Sequence, residues 1–209
     1  MSWKNRVVGI HVGATGISET VWDPGGSTRA PWKAKCILAE GNRNKLYENS
    51  KKERSYWGGK MADFNASVII CEPIDEVFAY FADMTNAPEY MSKVASTEKQ
   101  TDEPIGVGTK YKEIRNVRGN KVYAEIEYLT YEKNVGFMRR SSSNGLIVDY
   151  AYRFSEIPEG TQVEFEGTVH VKGLKMLLMR KFLVKMVKSE DNDHVQNAKE
   201  VLEGRVENL

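Results

Sequence analysis

The sequence predicts an α+β domain in residues 61–209, a curved antiparallel sheet of seven strands (order β-α-α-β6-α) wrapped around a long C-terminal helix. Two observations predict it. Runs of alternating apolar and polar residues recur after Met61, joined by turns too short for anything but antiparallel neighbours. The chain then ends on one long amphipathic stretch, which the sheet needs as cover.

Taken in order, Phe64, Ala66, Val68 and Ile70 alternate with Asn65 and Ser67, the period of a strand with one covered face. Pro73 suits a first helical turn, Asp75 and Glu76 suit a helix N-terminus, and Ile74, Val77, Phe78, Phe81 and Met84 recur at helical spacing. Asn86-Ala87-Pro88 is expected to break that helix, leaving Glu89 to Val94 as a second brief turn that presents Tyr90 and Met91. Turn chemistry at Asp102–Gly108, Arg118-Gly119-Asn120, Lys133-Asn134, Asn144-Gly145 and Pro158-Glu159-Gly160 separates six further strands. In the last of them Val163, Phe165, Gly167, Val169 and Val171 oppose Gln162, Glu164, Glu166 and His170, so one face is apolar and the other charged.

From Leu174 onward, at about 100° per residue, Met176, Met179, Phe182, Leu183, Met186 and Val187 share an arc opposite Lys181, Lys185 and Lys188. Methionine and phenylalanine are expected to face the sheet. The polar run Ser189–Asp193 is expected to loosen or kink the helix before Val195, Ala198, Val201 and Leu202 resume the pattern.

Residues 1–60 read differently. They hold all four tryptophans and 8 of the 17 glycines, and the stretch DPGGSTRAP and the polar run Gly41–Lys60 give no sustained period. A poorly structured basic extension is expected there. The junction Gly58-Gly59-Lys60-Met61 can be encoded GGA-GGA-AAA-ATG, a purine-rich ribosome-binding tract before a start codon, so the extension also reads as a leader included by mistake. Gly9–Gly16 hints at a phosphate loop, but its spacing is wrong and a Trp-Asp-Pro-Gly-Gly turn follows in place of a helix.

Charge divides at the same place. The extension carries 11 Lys/Arg against 5 Asp/Glu and the body 19 against 24, giving +6 and −5. The body lacks the basic footprint that nucleic-acid binding needs. Cys36 and Cys71 give neither metal spacing nor a disulfide framework, and no apolar run reaches the roughly 18 residues of a spanning helix. A reduced, cytoplasmic setting is expected.

The order of elements, with the stretches CEPIDEVFAYFADMTNAPEYMSKV and EGTQVEFEGTVHV, resembles the START-like (SRPBCC) superfamily, and within it the polyketide cyclase/dehydrase and lipid-transport group. The shared pattern is x-P-x-x-x-V-F after the first strand, D-x-x-x-x-P-E-aromatic at Asp83–Tyr90, G-x-G-T at Gly106–Thr109, and a Gly-Thr start to the last strand. It covers nearly all of residues 62–205, with Tyr90 standing where many relatives have Trp. The resemblance implies a helix-grip fold enclosing an elongated apolar cavity. It also implies binding of lipids, polyketides, hormones or quinones, with enzymes in the minority.

Such a cavity, commonly about 300–1,000 Å³, is expected to be lined by Tyr111, Ile126, Tyr128, Tyr150, Tyr152, Phe165, Val169, Met179, Phe182, Leu183 and Met186, with Tyr90 near its mouth. Any of these taken singly also reads as ordinary core. Glu113 and Arg115 share a face with Tyr111 and would be polar anchors if that face is the inner one. Arg139 shares a face with Phe137 and would meet a ligand carboxylate from inside, or solvent from an edge.

No spacing assembles an acid–base pair, a nucleophile or a metal site, so no catalytic residue, metal or cofactor is expected. His170 reads as solvated beside Glu164 and Glu166, and His194 as either helix surface or cavity end. The favoured function is binding or transport of an apolar small molecule or lipid. The alternatives are a polyketide cyclase/dehydratase-like enzyme and a protein-binding module. Leu174, Leu177 and Leu178 beside Arg180, Lys181 and Lys185 suit transient contact of Leu174–Lys185 with an anionic membrane or a protein, or plain packing.

Overall fold

The computed structural model describes residues 10–13, 16–19, 62–117, 119–191 and 193–207. In the extension, strands β1 (Ile10–Gly13) and β2 (Gly16–Glu19) pair antiparallel with Gly13 opposite Gly16. The glycine-rich run is therefore a hairpin. Glycines that spoil a phosphate fingerprint still suit a tight reversal. The rest of the extension and its junction at Met61 lie outside the described residues.

The body runs β3 (Phe64–Ile70), α1 (Ile74–Ala82), a 3-10 turn (Met84–Asn86), α2 (Ala87–Tyr90) and β4 (Val94–Lys99). It continues through β5 (Lys110–Val117), β6 (Asn120–Glu132), β7 (Gly136–Ser143), β8 (Leu146–Ile157), β9 (Gly160–Val171), α3 (Leu174–Asp191) and α4 (His194–Glu207). The sheet order is β3-β9-β8-β7-β6-β5-β4, antiparallel throughout, so every neighbour pair but β3–β9 is consecutive. Register shifts at Val94/Ser96 and Tyr128/Thr130 are the bulges that let such a sheet curve. At Asn144-Gly145 both turn residues have positive φ, 49° and 83°, which an Asn-Gly pair tolerates and a hairpin prefers. One face of the sheet is buried. Phe78 of α1 packs edge-on to Phe137 and Phe154 there, with ring centroids 5.8 and 5.1 Å apart. This is the expected helix-grip architecture.

Two expectations are corrected and one is met. Pro88 does not break the chain but sits in the first turn of α2, where its missing N–H leaves no hydrogen bond unmade. As expected of the polar run Ser189–Asp193, the terminal helix is interrupted between Asp191 and His194. Its buried stripe is Leu183, Val187, Asp191, His194, Val195, Ala198 and Leu202, rotated from the expected arc so that Met179 and Phe182 are 42% and 51% exposed and Met176 and Met186 are half-buried. The rotation has polar causes. Arg180 donates to both Asp63 carboxylate oxygens (2.9 and 2.8 Å) and to the Val169 carbonyl (3.1 Å), fixing one end of α3, and Arg115 and Tyr150 hold Asp191 inward at the other.

Beyond the interruption, α4 packs on β3. Lys199 donates to the Ile69 carbonyl (2.9 Å) and pairs with Glu203, which accepts from the Cys71 amide (2.9 Å). Cys71 is disulfide-bonded, where cysteine spacing gave no disulfide framework, while Cys36 lies outside the described residues. Sequence spacing carries no information on which distant cysteines meet in space.

Candidate functional site

Strand periodicity decides which side chains enter the space between sheet and terminal helices. On β5, Tyr111, Glu113 and Arg115 take the inward parity, and on β7 Phe137 and Arg139 do the same. On β8 and β9 the inward set is Val148, Tyr150, Tyr152, Phe154, Val163, Phe165 and Val169, with Ile126 and Tyr128 from β6. The interior therefore holds these aromatic side chains together with two arginines. Tyr90 is corrected from a mouth position. It is 1% exposed and lies against Phe81 and His194, with ring centroids 5.5 and 6.1 Å away, because α2 is pressed onto α4.

The two arginines are held in opposite ways. Arg115 donates from Nε to Glu113 (2.6 Å) and from Nη1 to Asp191 (3.0 Å), and the other Asp191 oxygen accepts from the Tyr150 hydroxyl (2.6 Å). Burial works against the Arg115 charge, but these carboxylates outweigh it and hold its pKa well above the ordinary value. Tyr150 is pushed up by burial and by Asp191.

Arg139 is 2% exposed, and among the described residues it forms no ion pair. Its Nη2 donates to the Tyr152 hydroxyl (2.8 Å), and Nη1 faces the Phe81 carbonyl (3.5 Å) and the Met84 sulfur. Its guanidinium carbon lies 4.8 Å from the centre of the Tyr152 ring. Burial again opposes the charge, offset by the tyrosines around it, which raise its pKa. The Tyr90 hydroxyl is buried next to Arg139 but not at good hydrogen-bond geometry, and burial raises its pKa against the opposing pull of that guanidinium.

Proton positions in the centre follow from the donors. The His194 Nδ1 meets the Asp191 carbonyl, which can only accept, so Nδ1 carries the hydrogen and Nε2 is the acceptor. The Tyr152 hydroxyl therefore donates to Nε2 across 2.7 Å while accepting from Arg139. Burial pushes the His194 pKa down to about 4, so the imidazole is neutral at pH 7. Tyr152 is pushed up by burial, so its hydroxyl keeps its proton. Tyr128 donates to the Ala82 carbonyl (2.6 Å) and Tyr111 to Asp83 (3.3 Å).

Of the expected site residues, the strand-borne set and Tyr90 converge here, and Leu183 closes against them from α3. Met179, Phe182 and Met186 do not. Asp191 and Asp83 were missed. For Asp191 the signal was present, since stepping four residues from Leu183 through Val187 lands on it inside a run that reads as solvated. His170 lies on the outer face, 3.0 Å from Asp149, which also binds Arg140.

Residues 61–203 match the family described as polyketide cyclase / dehydrase and lipid transport. No curated protein matches the chain. Among solved structures it is similar to Ara h 8.0201 (16% identity, TM-score 0.53, covering 68% of this chain and 97% of that one). It is similar to the di-domain ARO/CYC StfQ from the steffimycin biosynthetic pathway (15%, TM-score 0.57, 68% and 51%). A START superfamily protein from Mycobacterium smegmatis gives 14% and 0.53, covering 69% and 97%. At these identities the structural likeness bears on the fold.

Proposed function

Because the chain belongs to the polyketide cyclase / dehydrase and lipid transport family, we propose that it binds an apolar small molecule or lipid between sheet and terminal helices, with an acidic or carbonyl group of that ligand on Arg139. The supporting observation is the contrast between the arginines. A cation taken out of water costs several kcal/mol unless compensated. Arg115 has two carboxylates, whereas Arg139 has a hydroxyl, a carbonyl, a sulfur and ring faces. A ligand oxyanion would accept from the guanidinium and from the adjacent, poorly satisfied Tyr90 hydroxyl together, and the aromatic side chains would take the apolar remainder.

The test is native mass spectrometry after gentle purification. A co-purifying lipid-sized mass, lost in Arg139→Met with the fold intact by circular dichroism, supports the reading. A protein that captures nothing from a pool of fatty acids and aromatic acids refutes it. A second reading, a cyclase/dehydratase-like enzyme, draws on the Arg139–Tyr152–His194 chain, which presents polarised hydrogen bonds to anything bound beside it. Turnover of a polyketide-like substrate that disappears in His194→Gln while binding persists would favour it.

A further inference from the structure

Among the described residues of the body, large apolar side chains gather in solvent on the outward side of α3. Leu178 is 82% exposed, Leu174 76% and Leu177 57%, with the half-exposed Phe182 a turn further on. At helical spacing Leu174 and Leu178 share the outward line with Lys181 and Lys185, while Leu183 and Val187 occupy the opposite line against the body. From Leu174 to Lys188 the helix carries five Lys/Arg and no acidic residue. Arg180 is engaged with Asp63, which leaves Lys181, Lys185 and Lys188, with Lys172 before the helix, exposed and basic. We infer that this face docks the protein on an anionic lipid surface, leucines inserted and lysines at the headgroups.

Charge selects that occupant over the others. A second copy would bring the same basic face against itself. Residues 1–60 carry net charge +6, which does not complement the lysines. An anionic bilayer complements the lysines and takes leucines without needing a groove to receive them. The inference stands whether or not the interior holds the ligand proposed above.

The experiment is flotation of the full chain with vesicles of phosphatidylcholine alone or mixed with phosphatidylserine, at low and high salt. Binding is expected only with phosphatidylserine, and weaker at high salt. Lys181→Gln and Lys185→Gln should each weaken it about fivefold, from about 1 kcal/mol per basic residue near the surface. Leu178→Asp should weaken it about tenfold or more. These positions point to water, so circular dichroism should be unchanged, and Leu174→Asp provides a second variant. Equal binding to both vesicles, binding to neither, or anionic binding that survives all four substitutions overturns the inference. So does a dimer, or capture of an acidic protein, that depends on Leu178 without vesicle binding.

Discussion

Arg115 and Arg139 face one interior, and replacing each by methionine should have opposite consequences. Arg115→Met strands Glu113 and Asp191 without their cation and should destabilise the ligand-free protein by about 3–5 kcal/mol. Arg139→Met removes a charge that no carboxylate answers and should leave the ligand-free protein as stable or more so, as denaturant titration of both variants would reveal. His194 supplies a pH dependence. Its folded pKa of about 4 lies below the unfolded value near 6.5, so its stabilisation is fully present above pH 6.5 and fades as the pH falls toward 4. The loss should reach about 3 kcal/mol, at about 1.4 kcal/mol per pH unit. In His194→Gln the slope of stability between pH 6.5 and 5 should flatten. A slope unchanged by the substitution would assign the acid sensitivity to the carboxylates. Strand parity made Glu113 and Arg139 legible as candidates, since each shares a face with a large aromatic. What parity could not supply was the side of the sheet, which depends on elements far away in the chain.

The strands were readable because a covered face stamps a period of two on the sequence, and an Asn-Gly turn leaves little choice of connection. The rotation of α3 was not, because apolar periodicity is blind to Arg180 binding Asp63 and to Asp191 being drawn inward at the far end. Its outward leucines mislead any moment-based reading, since they are apolar without being core. Between β3 and β9 the fit is close enough to test. A methyl group on Gly167 would come within 2.1 Å of the Phe64 ring, so Gly167→Ala should cost about 1–3 kcal/mol. Trimming the ring in Gly167→Ala/Phe64→Leu should cost less than the sum of the single changes, which a double-mutant cycle in urea would measure.

For the molecule as a whole, composition suggests a boundary near Met61, and because a protein beginning there lacks Cys36, we expect it to match the midpoint of thermal unfolding of the reduced full chain within a few degrees. A large fall would mean that the extension contributes to the body. Among the described residues no helix is long and apolar enough to cross a membrane. The remaining consequence comes from the seam where β3 lies beside β9 and the Cys71 amide bonds Glu203 of α4. There the opening and closing stretches of the body are neighbours, so its structure is a ring of contacts that the ribosome happens to enter at one point. A circular permutant opened at Asn144-Gly145, with a flexible linker carrying the old tail back to the old head, would keep every strand beside its present partners. It should then reach the same native state by a different order of assembly, with the β7–β8 hairpin now the slow, chain-spanning event and the β3–β9 pairing a local one.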